Sequence, residues 1–383
     1  MGIDIVPQPL RRRLRRAVPP IAWRDEALAV QRERLDELRA RVDERDGTIG
    51  DLRRKLRELE RERVAERPPS FWSLLELLRA EATYAPAADP HRLTPLRQMP
   101  FKLRNYMLAQ SHGIAHAEVL GVWSTAAEID LADLSGRIVV KGDGGAGGQG
   151  VLLLDRAGDG GFTEIGTDRT YPADEIGPIL GARHGVRPPF FAERFIQAGP
   201  GGPTVPVDVK FFSFYGEVGH ALLRRVWPGA EGTTVEYRYV AADGTDLGEV
   251  MPGQRVAPDV PLPPDFAEMV QVARHLSRAV GLPFCRVDLY SGTDGPLLGE
   301  ITRAPGGRRI YERHHDERLG RLWVAARARL STDLARGRPF GALHGQYPVE
   351  ALYPTRSAES PAFVPGEWPL VVADCQDWCT PQS

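Results

Sequence analysis

The sequence predicts an α+β protein in which a long N-terminal helix precedes a body of mixed strands and helices. Three observations carry this. Apolar residues recur at heptad spacing from Ile21 to Leu59. Beyond residue 70, strand-like alternating runs are interleaved with amphipathic helical runs and Gly/Pro turns. A glycine-rich loop, Gly142–Gly150, joins two strand-like runs instead of opening a helix.

Composition narrows the field. Of 383 residues, 42% are hydrophobic and 26% charged, which fits a globular chain with room for two or three domains. No apolar run approaches the roughly 20 residues of a membrane span. The net charge of −2 argues against a general nucleic-acid binder. Arg11–Arg16 is basic, but no apolar segment of the signal-peptide kind follows it, so a cytoplasmic protein is expected. That stretch is also a candidate for peripheral contact with anionic lipid, and hence for membrane association. Three cysteines make no disulfide framework, and a reducing compartment fits. Cys375 and Cys379 lack a nearby His or second Cys pair, so free thiols are expected rather than zinc. Four of the 49 basic residues are lysine (Lys55, Lys102, Lys141, Lys210) and 45 are arginine. Where Arg is so freely used, a retained Lys asks for a position that needs a compact, rotatable ammonium.

The elements follow in order. With Ile21 at heptad position a, the a series is Ile21, Leu28, Leu35, Val42, Ile49 and Leu56, apolar throughout. The d series is apolar at Leu38, Leu52 and Leu59. This pattern favours a two-stranded coiled coil and a homodimer; a single charged helix is the plainer alternative. Gly47 and Gly50 weaken it by about 1 kcal/mol each, and Pro68-Pro69 ends it. Helices are expected at Phe71–Ala80 and Phe101–Ser111, with a capping box at Thr125-x-x-Glu128 opening a short one. Strands are expected at Arg137–Lys141, Val151–Asp155, Phe190–Ile196, Val207–Tyr215 and Val218–Val226. Asp265–Val280 is amphipathic and is followed by Gly281. Phe284–Tyr290 and Pro296–Thr302 read as a hairpin across Thr293-Asp294-Gly295, then a helix over Asp316–Leu334 and an irregular tail from about 345.

The loop formally contains Gly142-x-Gly144-x-x-Gly147, but the dinucleotide fingerprint must open a helix and this loop leads into Val151-Leu152-Leu153-Leu154. No Gly-Lys-Ser/Thr makes it a P-loop. Its Lys precedes the loop, whereas in a protein kinase the Lys comes later. What remains is a strand, Lys141, a glycine flap and a strand. Such a flap offers backbone N–H groups to phosphates with an ammonium at its root, although a flexible surface hairpin has the same pattern. Further on, alternation puts Arg286 and Asp288 on one face of their strand and Glu300 and Thr302 on one face of theirs, and a hairpin pairing of the two strands brings two carboxylates together. Paired carboxylates beside a hydroxyl suit Mg²⁺; a solvated polar face is the alternative. His112 and His116 stand four apart, but Gly113 speaks against a helical metal pair. His314-His315 beside Asp316 reads as a helix start.

Lys141 before its flap, Phe191-Ala192-Glu193-Arg194-Phe195-Ile196, Arg286-Val287-Asp288 and Gly299-Glu300-Ile301-Thr302 resemble, in order and spacing, the ATP-grasp superfamily. Leu120-Gly121-Val122-Trp123, Asp208-Val209-Lys210-Phe211-Phe212-Ser213-Phe214-Tyr215-Gly216 and Arg286-Val287-Asp288-Leu289-Tyr290 are most similar to its TupA-like members, named for teichuronopeptide biosynthesis. The resemblance covers about residues 90–335. It implies an α+β ATP-grasp fold, two subdomains clamping ATP, after an N-terminal α-helical coiled coil. The expected division is a basic tail at 1–20, coiled coil at 21–67, helical linker at 68–123, small subdomain with the flap at 124–200, metal-bearing subdomain at 201–345 and Pro-rich tail at 346–383.

The resemblance also implies roles. Lys102 and Lys141 hold the phosphates beneath Gly144, Gly145, Gly147 and Gly148. Glu193 and the backbone of Phe195 and Ile196 fall at the adenine-binding hinge, and Asp208 where an acidic residue holds the ribose hydroxyls. Lys210 points into the same cleft, Arg286 stabilises the transferring phosphoryl group, and Asp288, Glu300 and Thr302 hold Mg²⁺. Thr302 stands where the superfamily commonly has Asn. The implied activity is ligation of a carboxylate to an amine at the expense of ATP, on small-molecule or polymer-linked substrates of the cell envelope. A kinase acting on a hydroxyl and a nucleotide-binding scaffold recruited through the coiled coil remain alternatives. Pro305-Gly306-Gly307-Arg308-Arg309 is a loop suited to face the acceptor, or simply solvent. Only about 35 residues separate Pro68 from Lys102, too few for the α/β domain that precedes the core in many relatives.

Overall fold

The computed structural model describes residues 9, 12–13, 19–65, 67–88, 94–145, 150–158, 160–197, 206–229, 232–306, 310–354, 368, 370–372 and 375–379. The chain divides into two compact units, Met1–Arg67 and Pro68–Ser383.

The first unit is built on one helix, α1 (Pro19–Ala65). Its heptad stripe is exposed: Leu28, Leu35, Leu38, Val42, Ile49, Leu52, Leu56 and Leu59 all face solvent. Gly47 and Gly50 sit inside it without breaking it. Among the described residues, no helix is long and apolar enough to cross a membrane.

In the second unit the elements run α2 (Phe71–Ala88), α3 (Pro95–Gln98), α4 (Lys102–Ser111), β1 (Ala115–His116), β2 (Val119–Trp123), β3 (Arg137–Gly144), β4 (Val151–Arg156), β5 (Phe162–Glu164), β6 (Thr170–Tyr171), α5 (Ile176–Gly181) and β7 (Arg187–Arg194). Then come β8 (Asp208–Ser213), β9 (Val218–Gly229), β10 (Gly232–Val240), α6 (Phe266–Val280), β11 (Cys285–Gly292), β12 (Gly295–Thr302), α7 (Arg313–Ala335), β13 (Leu343–His344), β14 (Val371–Val372) and α8 (Cys375–Cys379). Sheet one has the order β2-β7-β3-β4-β5-β6, and sheet two β1-β12-β11-β8-β9-β10. The pair β13-β14 shows that the C-terminal segment is not wholly irregular. The expected capping box is absent. Thr125 makes no side-chain cap, Glu128 accepts from the Ser124 N–H at 2.9 Å, and only a 3₁₀ turn, Ala126–Glu128, forms.

Sheet two is two-sided, as its alternation requires. Val209, Phe211, Val287 and Leu289 face one way and pack with α6, whose Met269, Val270, Ala273 and Leu276 supply the facing stripe. Gly281 ends α6 with φ +71, and a Cβ there would lie 2.8 Å from an Arg338 nitrogen and the Gly341 carbonyl. The other face changes character along its strands. At one end Phe212 and Phe284 join Phe71 of α2 and Trp323 of α7. Phe71 is fully buried and meets Phe212, Phe214, Phe284 and Tyr311 edge-on, with centroids 5.1–6.3 Å apart. Two residues along the strands, at Lys210 and Arg286, that face becomes charged.

Helix α4 contacts both sheets and so fixes where they meet. Tyr106, Leu103 and Met107 share one core with Phe191 of sheet one and Leu298 and Ile301 of sheet two. Asn105 Nδ2 donates to the Ile301 carbonyl at 3.1 Å. No local side chain caps the start of α4; the Leu103 N–H donates instead to Asp143 Oδ1 at 2.7 Å.

Gly320 on α7 faces the chain entering α2, where an added Cβ would lie 1.8 Å from the Pro69 carbonyl oxygen. Gly320→Ala should lose about 3 kcal/mol or more in urea unfolding, since backbone cannot yield as a side chain does. Gly158→Ala, whose Cβ would meet nothing within 4 Å, should stay within about 0.5 kcal/mol of wild type.

Candidate active site

The charged end of sheet two is assembled by strand register. Asp288 lies directly opposite Lys210 on one side and Glu300 on the other, and Arg286 opposite Thr302. Arg286 grips Asp288 with two parallel bonds, Nε to Oδ1 at 2.6 Å and Nη2 to Oδ2 at 2.7 Å, and reaches Glu300 Oε1 at 3.0 Å. Thr302 Oγ1 donates to Glu300 Oε1 at 3.2 Å and lies 3.5 Å from Arg286. Lys210 Nζ sits between Asp208 Oδ2 at 2.6 Å and Asp288 Oδ2 at 2.5 Å. These six residues, predicted from separate motifs, therefore form one cluster.

Its electrostatics follow from burial and partners. Burial would push Asp288 up, but Arg286 and Lys210 outweigh it and hold the carboxyl below its usual range. Burial would push Lys210 down, yet Asp208 and Asp288 together raise it. Asp208 is raised, chiefly by burial, against the pull of Lys210. Its second oxygen, Oδ1, is buried without a hydrogen-bond partner. Three carboxylates thus face Lys210 and Arg286, with Arg224 Nη1 a further 4.0 Å from Asp208 Oδ2, and one carboxylate oxygen is orphaned. Clustered carboxylates with an unpartnered oxygen suit a hard divalent cation, which takes oxygen ligands. As they stand, these carboxylate oxygens do not close on a single point; among the described residues, such a convergence occurs only elsewhere.

The second group lies on sheet one. Lys141 on β3 is opposite Phe191 on β7, which brings Glu193, two residues on, to the same face. Lys141 Nζ pairs with Glu193 Oε1 at 2.5 Å, and Tyr106 of α4 donates to Glu193 Oε2 at 2.7 Å. Lys141 Nζ also lies 3.2 Å from the Tyr106 hydroxyl. His116 stacks flat on Tyr106, with centroids 4.4 Å apart. Burial and the adjoining Glu193 push the Tyr106 hydroxyl well above its usual range.

Lys102 connects the groups. Its ammonium points at the root of the flap, 3.2 Å from the Gly142 carbonyl, 3.4 Å from that of Asp143 and 3.5 Å from that of Gly145. Burial lowers its pKa, while Glu300 on sheet two and Glu193 on sheet one both pull it up. The flap root is close-packed: a Cβ on Gly142 would lie 2.4 Å from Val186, and one on Gly144 2.9 Å from Arg187. Gly145 has φ +147, which favours glycine. Gly147 and Gly148 lie outside the described residues, as do Gly307, Arg308 and Arg309 of the acceptor-side loop.

The Phe195 side chain is buried and its N–H donates to the Arg137 carbonyl at 3.1 Å, and Ile196 follows just past β7, the hinge position at which their backbone was expected. His112 lies against His275, 3.1 Å away, with no metal pair with His116 expected. Three residues to which the sequence assigns no role do join the site. Tyr290 covers Gly299, where a Cβ would lie 2.7 Å from its ring. Asp208 and then burial push its hydroxyl well up. Tyr106 is the second. The third is Asp143, fully buried, which accepts from Leu103 and, at 2.8 Å, from the Tyr353 hydroxyl. Their roles give no local signal because their partners lie far off in sequence, Tyr106 87 residues from Glu193 and Asp143 40 from Leu103.

Residues 192–324 match the model of the family described as TupA-like ATPgrasp. The fold is thus the α+β ATP-grasp fold expected, following a long N-terminal helix. Among solved structures, D-alanine–D-alanine ligase from Bacillus anthracis complexed with ATP is 12% identical, covering 67% of this chain and 76% of its own at a TM-score of 0.40. L-amino acid ligase from Bacillus licheniformis is 17% identical, covering 59% and 46% at 0.33. A RimK domain ATP-grasp protein from Sphaerobacter thermophilus is 12% identical, covering 60% and 67% at 0.35. Likenesses this distant say nothing about activity. No curated protein matches the chain at a significant level.

Burial raises Asp143 from 3.8 to about 6. Because its folded pKa lies above its unfolded one, its contribution is fully present below about pH 4 and is lost as pH rises through about 6. Asp143→Asn keeps an acceptor for Leu103 and should flatten the dependence of stability on pH in that window, measured by thermal unfolding. An unchanged slope would refute the assignment.

Proposed function

We propose that this protein is an ATP- and Mg²⁺-dependent ligase joining a carboxylate to an amine through an acyl phosphate. The observation that carries the reading is the Arg286–Asp288–Glu300–Lys210 cluster, with its orphaned Asp208 oxygen, electrostatically linked through Lys102 to Lys141 and the flap root. Asp288 and Glu300 would hold Mg²⁺, with Asp208 Oδ1 and Thr302 Oγ1 as further oxygens. Bound there, the ion offsets phosphate charge during transfer.

The chain's own groups do the rest. Lys141 and Lys102 bring two ammonium groups to the flap root, where the β- and γ-phosphates would lie. Arg286, already fixed by Asp288, presents its guanidinium to the phosphoryl group as charge develops. Glu193 and Tyr106 orient Lys141. The carboxylate substrate attacks the γ-phosphorus, ADP leaves, and the amine displaces phosphate from the acyl carbon. The family match over residues 192–324 supports looking for these substrates among small-molecule or polymer-linked building blocks of the cell envelope. We further propose that α1 pairs with a second copy through its exposed a and d residues, and that the enzyme is cytoplasmic, with Arg11–Arg16 available to anionic membrane surfaces.

A screen of carboxylates and amines, reading phosphate release, tests the activity. Turnover should require both substrates and yield ADP, phosphate and an amide. A phosphorylated product formed without amine would make the protein a kinase instead. Glu300→Ala should abolish turnover. Lys141→Arg keeps the charge but places a planar fork where a compact ammonium meets Glu193 and Tyr106, and should cost on the order of 10²–10³ in kcat. For the helix, sedimentation should give a dimer for wild type and a monomer for Leu35→Asp; a wild-type monomer at high concentration would end the pairing proposal.

A further inference from the structure

Away from the charged cluster, three residues with no common motif converge. His112 ends α4, His275 lies in α6 and Cys379 ends α8. Their candidate ligand atoms all lie within 4.8 Å of one another. His112 Nδ1 and His275 Nε2 are 3.1 Å apart, close to the roughly 3.3 Å that two imidazole nitrogens show on one tetrahedral zinc. The opposite nitrogen of His112, Nε2, lies 2.9 Å from the Leu343 carbonyl. A carbonyl can only accept, so that nitrogen carries the proton and Nδ1 presents its lone pair to His275 and Cys379. This is the arrangement by which an outer carbonyl orients a metal-binding histidine. Burial keeps His275 down at about 4, neutral near pH 7.

Cys379 is buried and disulfide-bonded in this structure, against the free thiol expected from sequence. Helix α8 is nevertheless held in place by more than that bond. Arg278 Nε donates to the Trp378 carbonyl at 2.6 Å, and Ala279 packs against Cys379 and Trp378. Opening the disulfide would therefore leave its sulfur beside the two imidazoles.

We propose that His112, His275 and Cys379 form a redox-gated zinc site that is closed while Cys379 is in its disulfide and opens on reduction. A dithiol reductant supplies two electrons and two protons, becoming a disulfide itself and leaving two thiols on the chain. Zn²⁺ then binds the Cys379 thiolate, whose proton passes to solvent, together with His112 Nδ1 and His275 Nε2; the proton that His275 Nε2 gives to its bond with His112 moves to His275 Nδ1, and a fourth position is left for water. Two neutral nitrogens and one thiolate suit zinc rather than magnesium. Occupied, the site would staple α8 to the C-terminal end of α4.

Cobalt(II) is the probe, because only a thiolate ligand gives it a sulfur-to-metal charge-transfer band; the carboxylates of the candidate active site cannot. The full chain is titrated with Co²⁺ with and without tris(2-carboxyethyl)phosphine, then with Zn²⁺ to displace it. The expected result is a band that saturates with a single ion per chain in the reduced protein only, is bleached by zinc, and is absent from His275→Gln, His112→Gln and Cys379→Ser. Circular dichroism checks that each variant is folded. No band in the reduced wild type, an equal band without reductant, or a band that survives in folded His275→Gln would each overturn the proposal.

Discussion

The constraint on which the rest of this structure depends is the compensation of charge on the mixed face of sheet two. A buried carboxylate or ammonium is tolerated only when paired. Here Asp208, Lys210, Asp288, Arg286 and Glu300 are paired mainly with one another. That mutual pairing lets one sheet face run from the Phe71 aromatic cluster to a polar floor within two residues of strand. Such pairs contribute little net stability compared with apolar packing. The architecture answers accordingly: the apolar end is covered by α2 and α7, while the charged end looks towards α4 and the flap root. Helix α4 then has a double duty, filling the core between the sheets with Tyr106 and Leu103 while presenting Lys102 at its first residue.

Much of this was legible in sequence because much of it is local. The hairpin of β11 and β12 and the glycine flap between β3 and β4 each announce themselves through alternation and turn residues within about twenty positions. Helix α6 does so through its apolar stripe and terminal Gly281. What escaped is non-local. The start of α4 is capped by Asp143 and not by a neighbouring Ser or Thr, so no capping pattern exists to be read. Thr125 and Glu128 supply such a pattern, yet the chain there makes a single 3₁₀ turn. Tyr106 and Tyr290 look like ordinary core aromatics until the fold sets them against Glu193 and Asp208. Strand β10 carries an alternating run, Glu236-Tyr237-Arg238-Tyr239-Val240, outside the expected strands, and its pairing with β9 makes it plain.

The uneven use of the two basic side chains finds a physical reason. The three lysines of the second unit are all buried or nearly so, each in a tight shell: Lys102 among carbonyls, Lys141 between a carboxylate and a phenol, Lys210 between two carboxylates. A guanidinium is too broad for any of these. Arginine takes the wider settings, such as the two-pronged grip of Arg286 and the reach of Arg278 to Asp333 and Trp378.

The register shift at Asp288/Leu289 has a further meaning. Asp288 pairs with Glu300 but Leu289 with Leu298, so Gly299 is the unmatched residue between them. Regular alternation would put Leu298 and Glu300, two residues apart, on the same face; the bulge absorbs Gly299 and lets them face opposite ways. Leu298 therefore stays in the core while Glu300 meets Asp288 and Thr302 meets Arg286. A side chain at position 299 would strike Tyr290. The acidic floor of the cleft is thus a matter of parity: a strand of the same length paired without the shift would turn Glu300 towards the hydrophobic core.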